Sequence, residues 1–150
     1  MSQLAIDIVL LPPSDIMDQA IAINKQFPND PIQLNKTDCL PHISLCMGVA
    51  QEEDLAKIEE IINETIREFS PLSLTIENIN KQYSSFYIKH NEQLQRLHEK
   101  IMENFAAYLS YDADTTMFYS PPTVVEKTLY WVTTYKETSS RDKYHPHITL

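Results

Sequence analysis

The chain has 150 residues, with 21 carboxylates against 12 Lys and Arg and a formal net charge of -9. That length fits one domain with a real core, and the acid excess does not suit a protein that grips long nucleic acid through its phosphates. A single glycine, Gly48, excludes a Walker A loop and a Rossmann fingerprint, which need more than one, so side chains and ordinary backbone amides would have to hold any phosphate.

Cys39 and Cys46 are too few for a disulfide scaffold, and their spacing is not that of a zinc knuckle. The opening stretch MSQLAIDIVLLPP has an apolar run interrupted by Asp7, with no basic leader and no small-residue cleavage site. It reads as a strand rather than a signal peptide. No stretch approaches the length of a membrane span. The expectation is a soluble, cytoplasmic protein in a reducing setting.

In chain order, LAIDIVLL from Leu4 is aliphatic and β-branched, predicting a buried strand that Pro12 and Pro13 stop. Ser14 is the expected N-cap of a helix with Ile16, Ala20, Ile23 and Phe27 on one face. A polar, proline-bearing loop follows from Pro28 to Cys39. HISLCMGV then alternates: His42, Ser44 and Cys46 point one way, Ile43, Leu45, Met47 and Val49 the other. The second set is a core face, and the first is a polar stripe on a strand.

QEEDLAKIEEIINETIREF predicts an amphipathic helix, acidic at its start, with Leu55, Ile58, Ile62 and Phe69 along one side. LSLTIENI and SSFYIKH alternate as strands. Asn91 can cap a helix whose stripe is Leu94, Leu97, Ile101, Phe105 and Tyr108. Residues 111–122 read as loop, TVVEKTLYWVTTYKE as a helix after two prolines, and TSSRDKY as a polar loop leading into YHPHITL.

LPHISL at Leu40 and PHITL at Pro146 write nearly one pentapeptide twice, exchanging a serine for a threonine and keeping the hydroxyl. Strand, helix and Pro-His-Ile strand occur from Leu4 to Val49 and again from Ser84 to Leu150, with an added loop and helix in the second copy. The pattern predicts two similar lobes, each presenting one histidine strand. On a strand, residues i and i+2 share a face, so His42 with Ser44 and His147 with Thr149 each set an imidazole beside a hydroxyl. Imidazoles exchange protons near neutrality and hydroxyls donate to anionic oxygens. Two such strands across a groove suit in-line attack on a phosphodiester, one histidine activating the nucleophile and the other protonating the leaving oxygen. That logic requires no metal and no cofactor.

These paired His-x-Ser/Thr motifs, with an aliphatic residue at x and after the hydroxyl, resemble the 2H phosphoesterase superfamily. YHPHITL and LPHISL are similar in particular to its 2'-5' RNA ligase-like, or cyclic phosphodiesterase, branch. The resemblance implies an α+β fold: a single bilobal domain over residues 1–150, two pseudo-symmetric lobes around a central cleft, each a small, mostly antiparallel sheet with helices outside. It implies that His42 and His147 are the proton-transfer pair and that Ser44 and Thr149 hold the phosphate. The chemistry implied is opening of a 2',3'-cyclic phosphate on a nucleotide or RNA end, or the reverse ligation through a 2'-5' bond. Family members continue past the second motif with a glycine-bearing stretch, so either the ending at Leu150 is natural or part of the second lobe is missing.

The acidic balance favours a small cyclic phosphate over a large structured RNA, with no membrane partner and a monomeric state. Two other readings compete: a nucleotide-binding module of the same fold without catalysis, and a metal site in which His145 and His147 join His42. Tyr144, His145 and Cys46 are candidates for the cleft rim. An aromatic at Tyr144 could stack on a base, with a core or rim place read equally, whereas Cys46 could look into the cleft but reads more readily as a small filler. His90 and His98 are assigned to structure.

Overall fold

The computed structural model describes residues 2–80, 84–119 and 122–150. Ser120 and Pro121, within the loop expected at 111–122, lie outside them. The described elements are β1 (Gln3–Leu10), α1 (Ser14–Asn24), β2 (Ile43–Gln51), α2 (Leu55–Ile66), β3 (Ile76–Asn80), β4 (Ser85–Ile88), α3 (Glu92–Phe105), α4 (Pro122–Thr138) and β5 (His147–Thr149). The strands form one five-stranded antiparallel sheet of order β1-β2-β5-β4-β3. The class is α+β, as expected.

Two pseudo-symmetric lobes with one histidine strand each are not shown by the way the chain divides. Its residues group into two compact units, 1–8 with 45–73 and 90–144, and 9–44 with 74–89 and 145–150. Neither coincides with a half of the sequence, and both motif histidines fall in the second. The reason lies in strand pairing. β2 and β5 hydrogen-bond to each other, with Ile43 opposite Ile148, so each satisfies backbone groups that an edge strand would leave open.

In the first unit the expected stripe of α3 is a core face, with Leu94, Leu97, Ile101 and Phe105 all buried. Asn91 caps the helix as read, its side chain accepting from the Leu94 amide at 2.9 Å. Val49 forms an antiparallel bridge to Ser110, its N–H donating at 2.8 Å and its carbonyl accepting at 2.9 Å. That bridge explains the lone glycine. A Cβ on Gly48 would stand 3.1 Å from both Cβ and Cδ1 of Leu109 and 3.2 Å from the Ser110 carbonyl oxygen. Gly48→Ala is therefore expected to lower stability by about 1–3 kcal/mol through overpacking. A thermal-unfolding midpoint equal to that of the wild type would show that the bridge can shift aside.

In the second unit α1 begins at Ser14 itself, with Pro13 at the cap position and no side-chain cap. The Ser14 hydroxyl instead accepts from Lys36 at 3.4 Å. The buried face of α1 is Ala20, Ile21 and Asn24, and Phe27 lies beyond the helix end, exposed. Asn24 is tolerated in this buried place because both ends of its amide are hydrogen-bonded. It donates to the Ile32 carbonyl at 2.9 Å and accepts from the Leu34 amide at 2.7 Å, which pins the loop and lets Leu34 be buried. Asn35 continues the job: its Oδ1 accepts from the amides of Thr37 and Asp38 at 2.8 and 2.7 Å, and its own N–H donates to the Cys39 carbonyl at 2.9 Å. The chain thus enters the first motif from a closed turn.

Candidate active site

The register of three strands builds the site in the second unit. Ile43 opposes Ile148, and β4 opposes β5 with Ser85, Phe86 and Tyr87 facing Thr149, Ile148 and His147. On the far side of β4, Ile79 opposes Phe86 and Asn78 opposes Tyr87. Side chains directly opposite in an antiparallel sheet share a face. One face therefore carries the row Ile43, Ile148, Phe86, Ile79, of which the first three are buried. Leu45 is buried as well. Ile43, Leu45, Val49 and Ile148 are buried as the alternation predicts, whereas Met47, of the same parity, is only half-buried.

The other face carries the polar residues. Stepping the ladder one residue each way from Ile43 and Ile148 sets Ser44 opposite His147 and His42 opposite Thr149. The histidines are then diagonal neighbours, a relation that spans roughly 7–8 Å between backbones, while directly opposite Cβ atoms lie about 4.5–5.5 Å apart. His147 is exposed, and His42, Ser44 and Thr149 are half-buried. No ring is sealed in the core.

The prolines before the two histidines have a shared consequence. His42 Nδ1 lies 2.6 Å from the Leu40 carbonyl oxygen, and His147 Nδ1 lies 2.9 Å from the His145 carbonyl oxygen. Each imidazole thus bonds back to the residue before its proline. A carbonyl only accepts, so each Nδ1 carries a proton and each neutral ring keeps its lone pair on Nε2. Proline fixes φ near -65° and holds the preceding residue extended, which presents the same carbonyl to the same nitrogen both times.

Two neighbours of the motifs were not legible in the sequence. Tyr87 lies beside His147, ring centroids 5.8 Å apart and tilted by 35°, and Ser85, buried, stands across from Thr149. The alternation of SSFYIKH puts Ser85 and Tyr87 on one face, but nothing local says which strand lies next to β5.

The candidate rim residues separate. His145 is exposed and contributes its carbonyl to His147. Tyr144 is buried and stacked on His98, centroids 3.9 Å apart and planes within 4°, so its faces are not open to a base. Cys46 is fully buried, and burial, with Asp7 adding repulsion, pushes its thiol up to about 12. It is a core filler. Among the described residues no three His, Cys, Asp or Glu side chains come together as a set that could hold a metal ion.

A family model described as the 2'-5' RNA ligase superfamily matches residues 33–150. Comparison with curated proteins and with solved structures gave no match. The matched segment contains both motifs, the turn at Asn35 and the whole of β3, β4 and β5.

Proposed function

The chain belongs to the 2'-5' RNA ligase superfamily of 2H phosphoesterases, and from that premise we propose that it opens a 2',3'-cyclic phosphate on a nucleotide or RNA end without a metal ion. The observation that carries the reading is the matched pair of Nδ1 bonds, which favours the same tautomer, with the proton on Nδ1, in both motifs.

In the proposed reaction a water oxygen attacks phosphorus while Nε2 of one neutral histidine takes the water proton. The bond from phosphorus to one ribose oxygen breaks in line, and that oxygen receives the Nε2 proton of the other, protonated, histidine. The products are a phosphomonoester and a free ribose hydroxyl. Ser44 and Thr149 donate to the non-bridging oxygens, where charge builds. With the 5'-hydroxyl of a second ribose in place of water, the same ring opening forms the new P–O bond as the bond to the 3' oxygen breaks, and leaves a 2'-5' link and a free 3'-hydroxyl. A local twofold relation through the pair Ile43 and Ile148 would make the two motifs equivalent supports with opposite protonation.

The partner is a small cyclic phosphate rather than a long nucleic acid, in keeping with the net charge of -9. We place the protein in the cytoplasm as a monomer; no helix among the described residues is long and apolar enough to cross a membrane.

The test is incubation with 2',3'-cyclic mononucleotides and 2'-5'-linked dinucleotides in EDTA, with products resolved by phosphate position. Turnover in EDTA is expected, because two imidazoles supply both proton transfers. Activity lost in EDTA and restored by a divalent ion would overturn the mechanism, and nucleotide binding without turnover would leave a binding module.

A further inference from the structure

His98 lies on α3, is fully buried, and spends both ring nitrogens on backbone. Its Nδ1–H donates to the Leu45 carbonyl at 2.7 Å, and the Arg141 N–H donates to its Nε2 at 2.8 Å. Only a neutral ring with its proton on Nδ1 makes both bonds. Leu45 is the residue after Ser44, and Arg141 opens the short turn that leads to His147. Arg141 holds φ at 58°, the left-handed region that a residue with a side chain seldom adopts. Gln95, from the same helix, donates to the Arg141 carbonyl at 2.8 Å. Tyr144 lies flat on the imidazole, and Tyr135 meets it edge-on at 6.5 Å and 66°.

We propose that His98 is a positioning residue for the two-histidine site, holding the chain just after the first motif and the turn before the second in one arrangement while its own ring is neutral. Its catalytic consequence rests on the function proposed above; its structural consequence does not. An imidazole suits the place because the Leu45 carbonyl and the Arg141 amide approach opposite ends of one small flat ring. A phenyl ring would keep the stack on Tyr144 and leave both backbone groups buried without partners.

Protonating Nε2 would set two donors, Nε2–H and the Arg141 N–H, against each other. The groups facing the ring are Glu99, which favours its charge, Arg141, which opposes it, and the phenols of Tyr135 and Tyr144, which burial keeps uncharged. Burial outweighs the rest and holds His98 below the usual histidine range. The unfolded chain therefore binds this proton more readily than the folded one. Its contribution is complete above the ordinary histidine pKa and is lost as pH falls below it.

The experiment follows two readouts on the full chain. In the first, NMR tracks the His98 ring together with the backbone amides of Arg141, Ser44 and His147 as pH falls, and compares the same amides in wild type and His98→Gln at neutral pH. All three amides are expected to move with His98 and to be displaced in the variant. In the second, kcat and KM on a 2',3'-cyclic mononucleotide are measured for His98→Phe and His98→Gln against wild type. Phenylalanine should lower kcat about 10- to 100-fold with little change in KM, the scale of a small misplacement of reacting groups. Glutamine, which keeps a donor and an acceptor, should recover part of that.

Amides at Ser44 and His147 that ignore both the titration and the Gln substitution would overturn the proposal. So would a folded His98→Phe enzyme with wild-type kcat. If the wild type opens no cyclic phosphate, the proposed function fails and the NMR result alone decides the role of His98.

Discussion

Replacing His42 or His147 with alanine is expected to lower kcat on a 2',3'-cyclic phosphate by roughly 10²- to 10⁴-fold, the contribution of one positioned proton-transfer group. Either substitution strands one of two coupled transfers, so the double variant should be little worse than the poorer single one. The wild-type rate should follow a bell-shaped pH profile, because one ring must be neutral and the other protonated at the same moment. Each single variant should lose one limb of the bell. The fold should survive, since His147 is exposed and His42 half-buried, and neither truncation opens a core cavity. A His42→Ala protein that melts like wild type and turns over at the wild-type rate would end the two-histidine reading.

Loss of a motif hydroxyl should cost about 10²- to 10³-fold in kcat, the scale for one donor to a developing oxyanion. The register adds a sharper expectation. Along its own strand each hydroxyl is two residues from its histidine, roughly 7 Å away. Extending the register by one residue each way from Ile43 and Ile148 sets Ser44 across from His147 and Thr149 across from His42, a spacing of about 5 Å between Cβ atoms. On this register each hydroxyl lies closer to the other motif's imidazole than to its own. In double-mutant cycles on kcat, Ser44→Ala should couple more strongly to His147→Ala than to His42→Ala, and Thr149→Ala the reverse. Thr149→Ser should be mild and Thr149→Val severe, because only the hydroxyl is asked to act. Stronger coupling within each motif than between them would contradict the pairing of β2 with β5 as the working geometry.

The two faces of the motif strands were more legible in the letters than the arrangement that holds them. Alternation in HISLCMGV correctly divides Ile43, Leu45 and Val49, buried, from His42 and Ser44, half-buried, because strand geometry allows only two faces. It misleads one step further on. Cys46 has the parity of the polar stripe, yet it is fully buried, since periodicity gives a direction and says nothing of what packs there. Asn91 was readable as a cap because its bond to Leu94 is local. Asn24 was not, because its partners at Ile32 and Leu34 lie in a loop without periodicity. His98 reads correctly as structural on its helix, but its bonds to Leu45 and Arg141 are long-range and invisible in a one-dimensional pattern. LSLTIENI yields a strand only from Ile76, with an irregularity in pairing between Ile76 and Asn78. The meeting of β2 and β5 in one unit is likewise a property of backbone pairing, which side-chain letters do not record.

That meeting also bears on how the protein comes into being. β5 follows β2 by roughly a hundred residues, so the pair at the centre of the sheet is among the most non-local contacts the chain makes, and closing it costs entropy that no nearby contact offsets. Until β5 arrives, β2 shows a bare edge beside the apolar side chains of Ile43 and Leu45, an invitation to pair with another chain. The same event that covers this edge brings His147 beside Ser44. On the function proposed above, assembly of the site and cover for this edge come from one and the same pairing, so a chain that stalls before it is expected to be both inert and prone to associate.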